Sequence, residues 1–205
     1  MNTVYIIEDE ESVRDALAWL FRSRNIDSHG FDGAESFLAW LEGDARPPGC
    51  LLLDVRMPGM SGIELFDQLH AMDAGATMPV IFLTGHGDVP MAVEAVKKGA
   101  FDFFEKPFND NRLVDRVVEA CGLARERARH MELAAEKHAR LATLSPREQE
   151  VMGRILAGKL NKVVADELGI SMRTVEVHRA SIFNKLGVKS AVELAQWLMS
   201  IRHED

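Results

Sequence analysis

Apolar runs of strand length alternate with helically spaced apolar positions through residues 1–120. Val4 to Ile7 precedes a helical pattern from Val13 to Phe21, Cys50 to Leu53 precedes Ile63 to Leu69, and Val80 to Leu83 precedes Met91 to Val96. A weaker strand at Ser28 to Phe31 leads into a helix from Glu35 to Leu41, and Phe101 to Phe104 closes the series. Strands that are apolar at every position are buried on both faces, so this alternation predicts a parallel sheet of βα units covered by helices on either side.

The pattern then changes. Between Asn111 and Pro146 only Gly122 interrupts a continuous helical stretch, which predicts one long helix. Val117, Cys121, Ala124, Ala128, Met131, Ala135, His138 and Ala142 share one stripe of it, which is either a dimer seam or one side of a solvated linker. The remainder is helical and broken at turns. Ser145-Pro146-Arg147-Glu148 is a helix start with Ser as cap, Pro at the first position and Glu three residues after the cap. Gly158 ends that helix, Asn161 to Leu168 forms a second closed by Gly169, Ser171 caps a third that reaches Leu186 before Gly187, and Ala191 to Ile201 forms the last. The expected organisation is an α/β domain at 1–121, a helical linker at 122–142 and an all-α domain at 143–205.

Length supports that division, because 205 residues with 47% apolar positions can fill two modest cores. Charge sharpens it. Residues 1–120 hold 10 Lys+Arg against 21 Asp+Glu, whereas residues 121–205 hold 14 against 11, so only the second part suits a polyanion, and mildly. No apolar run reaches the roughly 20 residues that span a bilayer, and the N-terminus carries acids where a signal peptide is basic. A cytoplasmic location without a membrane partner is expected. Cys50 and Cys121 form no metal-like or redox-like spacing and read as reduced structural thiols.

Groups just past the C-terminal ends of parallel strands converge on one edge. Glu8 and Asp9 follow the first strand, Asp54 the third, Thr84 the fourth and Lys106 the fifth. Crowded carboxylates repel one another, and hard oxygen ligands suit Mg²⁺, so a metal is implied. At the other end of the chain, Gly169-Ile170-Ser171 between two short amphipathic helices is a helix-turn-helix signature. Periodicity assigns Val175, Ile182 and Leu186 of the third helix to its core. Arg173, Glu176, Val177, Ala180 and Ser181 remain for the major groove, where Arg can donate to guanine, Glu accept from cytosine and Val or Ala touch a thymine methyl. Lys162, Thr174, Arg179 and Lys185 suit phosphates.

At these residues the sequence resembles two known families. Glu8-Asp9, Asp54 with Met57-Pro58-Gly59, Thr84-Gly85 and Lys106-Pro107 resemble the receiver domain of two-component systems over residues 3–120. Leu144-Ser145-Pro146-Arg147-Glu148, Asn161-Lys162 and Thr174-Val175-Glu176-Val177-His178 resemble the LuxR-type domain, and the whole chain is similar to NarL/FixJ-family response regulators. Gly85-His86-Gly87-Asp88-Val89-Pro90 leans to the FixJ-like branch.

The resemblance implies a flavodoxin-like, five-stranded sheet of order 2-1-3-4-5 and a LuxR-type helix-turn-helix domain. Asp54 is then the phosphoacceptor for a sensor histidine kinase, with Thr84 and Lys106 as its catalytic partners. Mg²⁺ is held by Asp9, Asp54 and the Arg56 carbonyl, with Glu8 helping through water, and a cis bond precedes Pro107. Thr84 and Phe103 form the switch, although Phe103 is also readable as ordinary core on the last strand. Arg56 and His86, two residues beyond Asp54 and Thr84, are placed either to tune the life of the acyl phosphate or simply to be solvated. Phosphorylation is expected to drive a homodimer through residues 89–99 and 101–119 and to promote binding to double-stranded promoter DNA, with RNA polymerase downstream. A haloacid-dehalogenase-type hydrolase also uses an Asp after a strand, but it wants a second acid where Arg56 stands, so no enzyme of that kind is expected. A phosphate sink or RNA-binding regulator fits the C-terminal helices less well than a DNA reader.

Overall fold

A computed structural model describes residues 2–43, 47–72, 77–85 and 89–202. The chain forms two compact units that divide between Ala128 and Arg129.

In the first unit, β1 (Thr3–Ile7), β2 (Asp27–Phe31), β3 (Cys50–Asp54), β4 (Val80–Thr84) and β5 (Asp102–Glu105) form a parallel sheet of order β2-β1-β3-β4-β5. Side chains of a strand alternate between its faces, and the two cores follow that rule. Tyr5, Ile7, Leu51, Leu53, Val80 and Phe82 point to one side, where α2 (Ala34–Leu41), α3 (Gly62–Ala71) and α4 (Val89–Lys97) supply Phe37, Leu65, Phe66, Leu69 and Ala95. Val4, Ile6, Cys50, Leu52, Ile81 and Leu83 point to the other, against Leu17, Leu20 and Phe21 of α1 (Glu11–Ser23) and Leu113, Val114 and Val117 of α5 (Asp110–Ala142). Burial on both faces is why β1, β3 and β4 carry no polar alternation. At the edge, β2 is largely exposed, and its signal in sequence is accordingly weak.

The stripe along α5 resolves in part. Val117 and Cys121 are fully buried in the core of the first unit and Ala124 is buried as well, so the start of this stripe is taken up by contacts within the chain. A helix packed on a sheet and a helix in a coiled coil present the same four-three spacing. Met131 is exposed, and only residues beyond Ala124 remain for either earlier reading. Within 122–142, Ala124 is buried and Leu141 packs against the core of the second unit.

The second unit contains α6 (Pro146–Leu156), α7 (Asn161–Leu168), α8 (Met172–Leu186) and α9 (Ala191–Arg202). Ser145 forms the expected capping box with Glu148, satisfying two otherwise orphaned backbone donors. Ser171 accepts from Thr174 N to start α8. Gly169 and Gly187 end α7 and α8 at φ of 63° and 70°, a left-handed conformation that a Cβ disfavours. Val151, Ile155, Val164, Val175, Ile182, Leu186 and Leu194 form the core, each aliphatic contributing about 1.5–3 kcal/mol relative to exposure.

Candidate functional site

The order of the sheet reverses between β1 and β3, and the site lies beyond the carboxyl ends of those strands. Backbone ladders continue past the strands and fix the residues there: Glu8 N donates to Phe31 O at 3.1 Å, Val55 N to Leu83 O at 3.0 Å and Lys106 N to Thr84 O at 2.8 Å. Two further supports had no signal in the sequence pattern. Arg14 Nη1 donates to the Glu8 carbonyl at 2.7 Å, holding the β1–α1 turn. Glu35 Oε1 accepts from Met60 N at 3.0 Å, tying the β3–α3 loop to α2.

Glu8, Asp54 and Thr84 are buried while Asp9 is exposed. Lys106 Nζ lies 2.8 Å from Glu8 Oε2 and 2.9 Å from Asp54 Oδ2, and the Lys106-Pro107 bond is cis as expected. Burial pushes the Glu8 carboxyl up to about 7; the Asp54 charge adds to that, and the hydrogen bond from Lys106 opposes it. For Lys106, burial pulls downward but the hydrogen bonds to Glu8 and Asp54 outweigh it, so its pKa rises and it stays charged. Asp54 Oδ1 also accepts from Arg56 N at 3.3 Å.

Thr84 Oγ1 donates weakly to the Phe104 carbonyl at 3.4 Å. Phe103 is half-buried against the core on the α3 side of the sheet. His86 lies outside the described residues.

Among the described residues, ligand oxygens of Glu8, Asp9 and Asp54 lie within 4.8 Å of one another. Opposite ligands of an octahedral Mg²⁺ stand about 4.2 Å apart, so this all-oxygen set fits that ion with a small contraction.

In the second unit α8 presents Arg173, Glu176, Val177 and Ala180 to solvent, Val177 with 60% exposure despite being apolar. Lys162 on α7 is also exposed. Thr174 is half-buried with its hydroxyl 2.8 Å from that of Ser171, and the Arg179 guanidinium lies 5.4 Å from the Phe183 ring centre. Ser181 and Lys185 are placed differently. Ser181 Oγ donates to Glu148 Oε1 at 2.6 Å, and Lys185 Nζ donates to Glu148 Oε2 at 2.7 Å and to the Thr143 carbonyl at 3.0 Å. Both side chains of α8 thus bind the buried Glu148 in the first turn of α6.

Two family profiles match this chain: the response regulator receiver domain over residues 4–118 and the luxR family of bacterial regulatory proteins over residues 142–198. The chain belongs to the response regulators that join a receiver to a LuxR-type DNA-binding domain, which are transcriptional regulators of two-component systems. It is 49% identical over 195 residues to the C4-dicarboxylate transport transcriptional regulatory protein DctR of Rhodobacter capsulatus, covering 95% of this chain and 98% of that protein. The transcriptional regulatory protein FixJ of Bradyrhizobium diazoefficiens is 43% identical over 196 residues, covering 96% and 94%. The solved structure of the response regulator StyR superposes with a TM-score of 0.85 at 41% identity, over 97% of this chain and 98% of that one. Among the described residues no helix is long and apolar enough to cross a membrane.

Proposed function

We propose that Asp54 is the phosphoacceptor of this regulator and that its modification controls reading of promoter DNA by α8. The convergence of Lys106 on Glu8 and Asp54 at 2.8 and 2.9 Å carries this assignment, because it sets an acceptor carboxylate beside a fixed cation. One Asp54 oxygen attacks the phosphorus of a phosphohistidine on a sensor histidine kinase. The P–N bond breaks, its electron pair returns to the imidazole, and an acyl phosphate remains.

Glu8, Asp9, Asp54 and the Arg56 carbonyl would hold Mg²⁺, which when bound supplies positive charge against the phosphoryl oxygens. Lys106 exchanges its Asp54 oxygen for a phosphoryl oxygen, a charge-assisted bond of the same kind. Thr84 gives up its long bond to Phe104 and donates to another phosphoryl oxygen, and Phe103 turns into the space vacated. Exposed Met91, Val93 and Val96 on α4 support a homodimer formed through this face. The protein is modified stoichiometrically and is not a turnover enzyme; it acts in the cytoplasm with RNA polymerase downstream.

Arg173, Glu176, Val177 and Ala180 enter the major groove, while Lys162, Thr174 and Arg179 meet phosphates. Ser181 and Lys185 reach DNA only by leaving Glu148. Gel-shift titration tests the switch by comparing the wild type, the wild type treated with acetyl phosphate and Mg²⁺, and Asp54→Asn given the same treatment. Tight binding only by the treated wild type is expected; equal affinity in all samples refutes the phospho-switch.

A further inference from the structure

Cys50 opens β3 and Cys121 lies on α5, 71 residues apart in sequence, yet their Sγ atoms meet at 3.6 Å. Both residues are 0% exposed. Cys121 Sγ also lies 3.1 Å from the Thr3 carbonyl oxygen and Cys50 Sγ 3.9 Å from that of Val117. The pair stands apart from the acidic site, because Asp54 ends the strand that Cys50 begins, roughly 13 Å away at the usual rise per residue. Nothing in phosphoryl transfer uses two sulfurs placed there.

We propose that Cys50 and Cys121 are a dithiol that hydrogen peroxide oxidises to an intramolecular disulfide, tying α5 to β3. The roles of the two sulfurs differ. The hydrogen bond from the Cys50 thiol draws Cys121 down to about 7 against the effect of burial, whereas Cys50 itself is raised by its bond to Cys121 and by burial. In the closed pair Cys121 is a thiol donating to the Thr3 carbonyl; once that contact opens it ionises before Cys50 and is the nucleophile. Its sulfur attacks one peroxide oxygen, the O–O bond breaks, and the leaving hydroxide takes up a proton as water, giving a sulfenic acid on Cys121. Cys50 then loses its proton and attacks Sγ of Cys121; the S–O bond breaks and a second water departs. Two thiols and one hydrogen peroxide thus yield one disulfide and two waters.

From contact distance, rotation about χ1 and a small approach of α5 bring the sulfurs to the bond length of about 2.05 Å. Full burial selects the oxidant. A compact peroxide enters through local openings of the seam between α5 and β3, whereas a bulky disulfide such as oxidised glutathione does not. The crosslink closes a long loop in the unfolded chain, so the oxidised receiver unit melts at a higher temperature.

The reduced full-length protein is incubated with hydrogen peroxide, quenched with catalase, then unfolded in iodoacetamide for intact mass and non-reducing peptide mapping. The expected product has lost two hydrogens, takes no alkyl group, yields a linked Cys50–Cys121 peptide that dithiothreitol dissolves, and melts several degrees higher. With Cys50→Ser, unfolding the peroxide-treated protein in the presence of dimedone is expected to trap the sulfenic acid on Cys121. Full alkylation after peroxide, oxidation to sulfinic or sulfonic acid without a link, or links only between separate chains overturns the proposal.

Discussion

Replacing Glu148 with Gln should loosen the DNA-binding unit at neutral pH and remove much of its sensitivity to acid. The carboxylate is 5% exposed and accepts from Ser145 N at 2.7 Å, Ser181 Oγ at 2.6 Å and Lys185 Nζ at 2.7 Å. Its hydrogen bond from Lys185 and then that from Ser181 hold its pKa down to about 2, from an ordinary 4.5. A shift of that size corresponds to roughly 3 kcal/mol. Lys185 keeps 35% of its side chain in water, so we take about 2 kcal/mol as the part that survives screening.

A depressed carboxylate contributes its full stability above the unfolded value and loses it as pH falls through the folded one. The wild-type unit should therefore lose about 2 kcal/mol between pH 5 and 2 from this group. Glu148→Gln should be about 2 kcal/mol less stable at pH 7 and lack that component of the acid slope. Urea denaturation of the full chain, followed by Trp197 fluorescence with Trp19 and Trp40 replaced by Phe, measures both. Equal stability at pH 7, or an unchanged acid slope in the variant, would show that Glu148 does not hold α6 and α8 together.

A Cβ on Gly62 would lie 2.0 Å from the Asp54 carbonyl oxygen, so Gly62→Ala should cost about 2–4 kcal/mol in receiver stability by calorimetry and slow phosphorylation by acetyl phosphate. Ser171→Ala removes the hydrogen bond that Thr174 N makes to the cap of α8 at 3.0 Å and should cost about 1 kcal/mol in the same fluorescence assay. Lys106→Met strips the cation from Glu8 and Asp54, and phosphotransfer from acetyl phosphate should fall by roughly 10-fold or more; an unchanged rate would deny Lys106 a role. Arg173→Ala should cost about 1–3 kcal/mol of specific DNA affinity and relax the base preference at one position.

What the sequence discloses follows the range of the contacts involved. The apolar runs of β1, β3 and β4 announce themselves because burial on both faces confines polar residues to the strand ends. Glu8, Asp9, Asp54 and Thr84 are legible because they stop or follow such a run, and Lys106 because it stands just past the aromatic strand β5. Caps at Ser145 and Ser171 are local and were equally plain. Edge strand β2 faces solvent and carries little pattern. Strand β5 falls one residue later than its aromatic run suggests, at Asp102–Glu105, because a polar residue is tolerated at either end.

Contacts between distant positions carry no such signature, and they alter what individual residues can do. Glu148 reads locally as the third residue of a helix start, yet its partners Ser181 and Lys185 come from 33 and 37 residues further along. Those two lie on the polar side of α8, and periodicity alone cannot distinguish polar side chains facing DNA from polar side chains facing a buried carboxylate. The same limit applies to α5, where one spacing served both the receiver core and a supposed seam. It applies most strongly to Cys50 and Cys121, which are unremarkable 71 residues apart and chemically distinctive at 3.6 Å. Fold assignment depends on periodicity and survives such ambiguity, whereas a side chain's chemistry depends on its nearest few atoms, which here come from other elements of the chain.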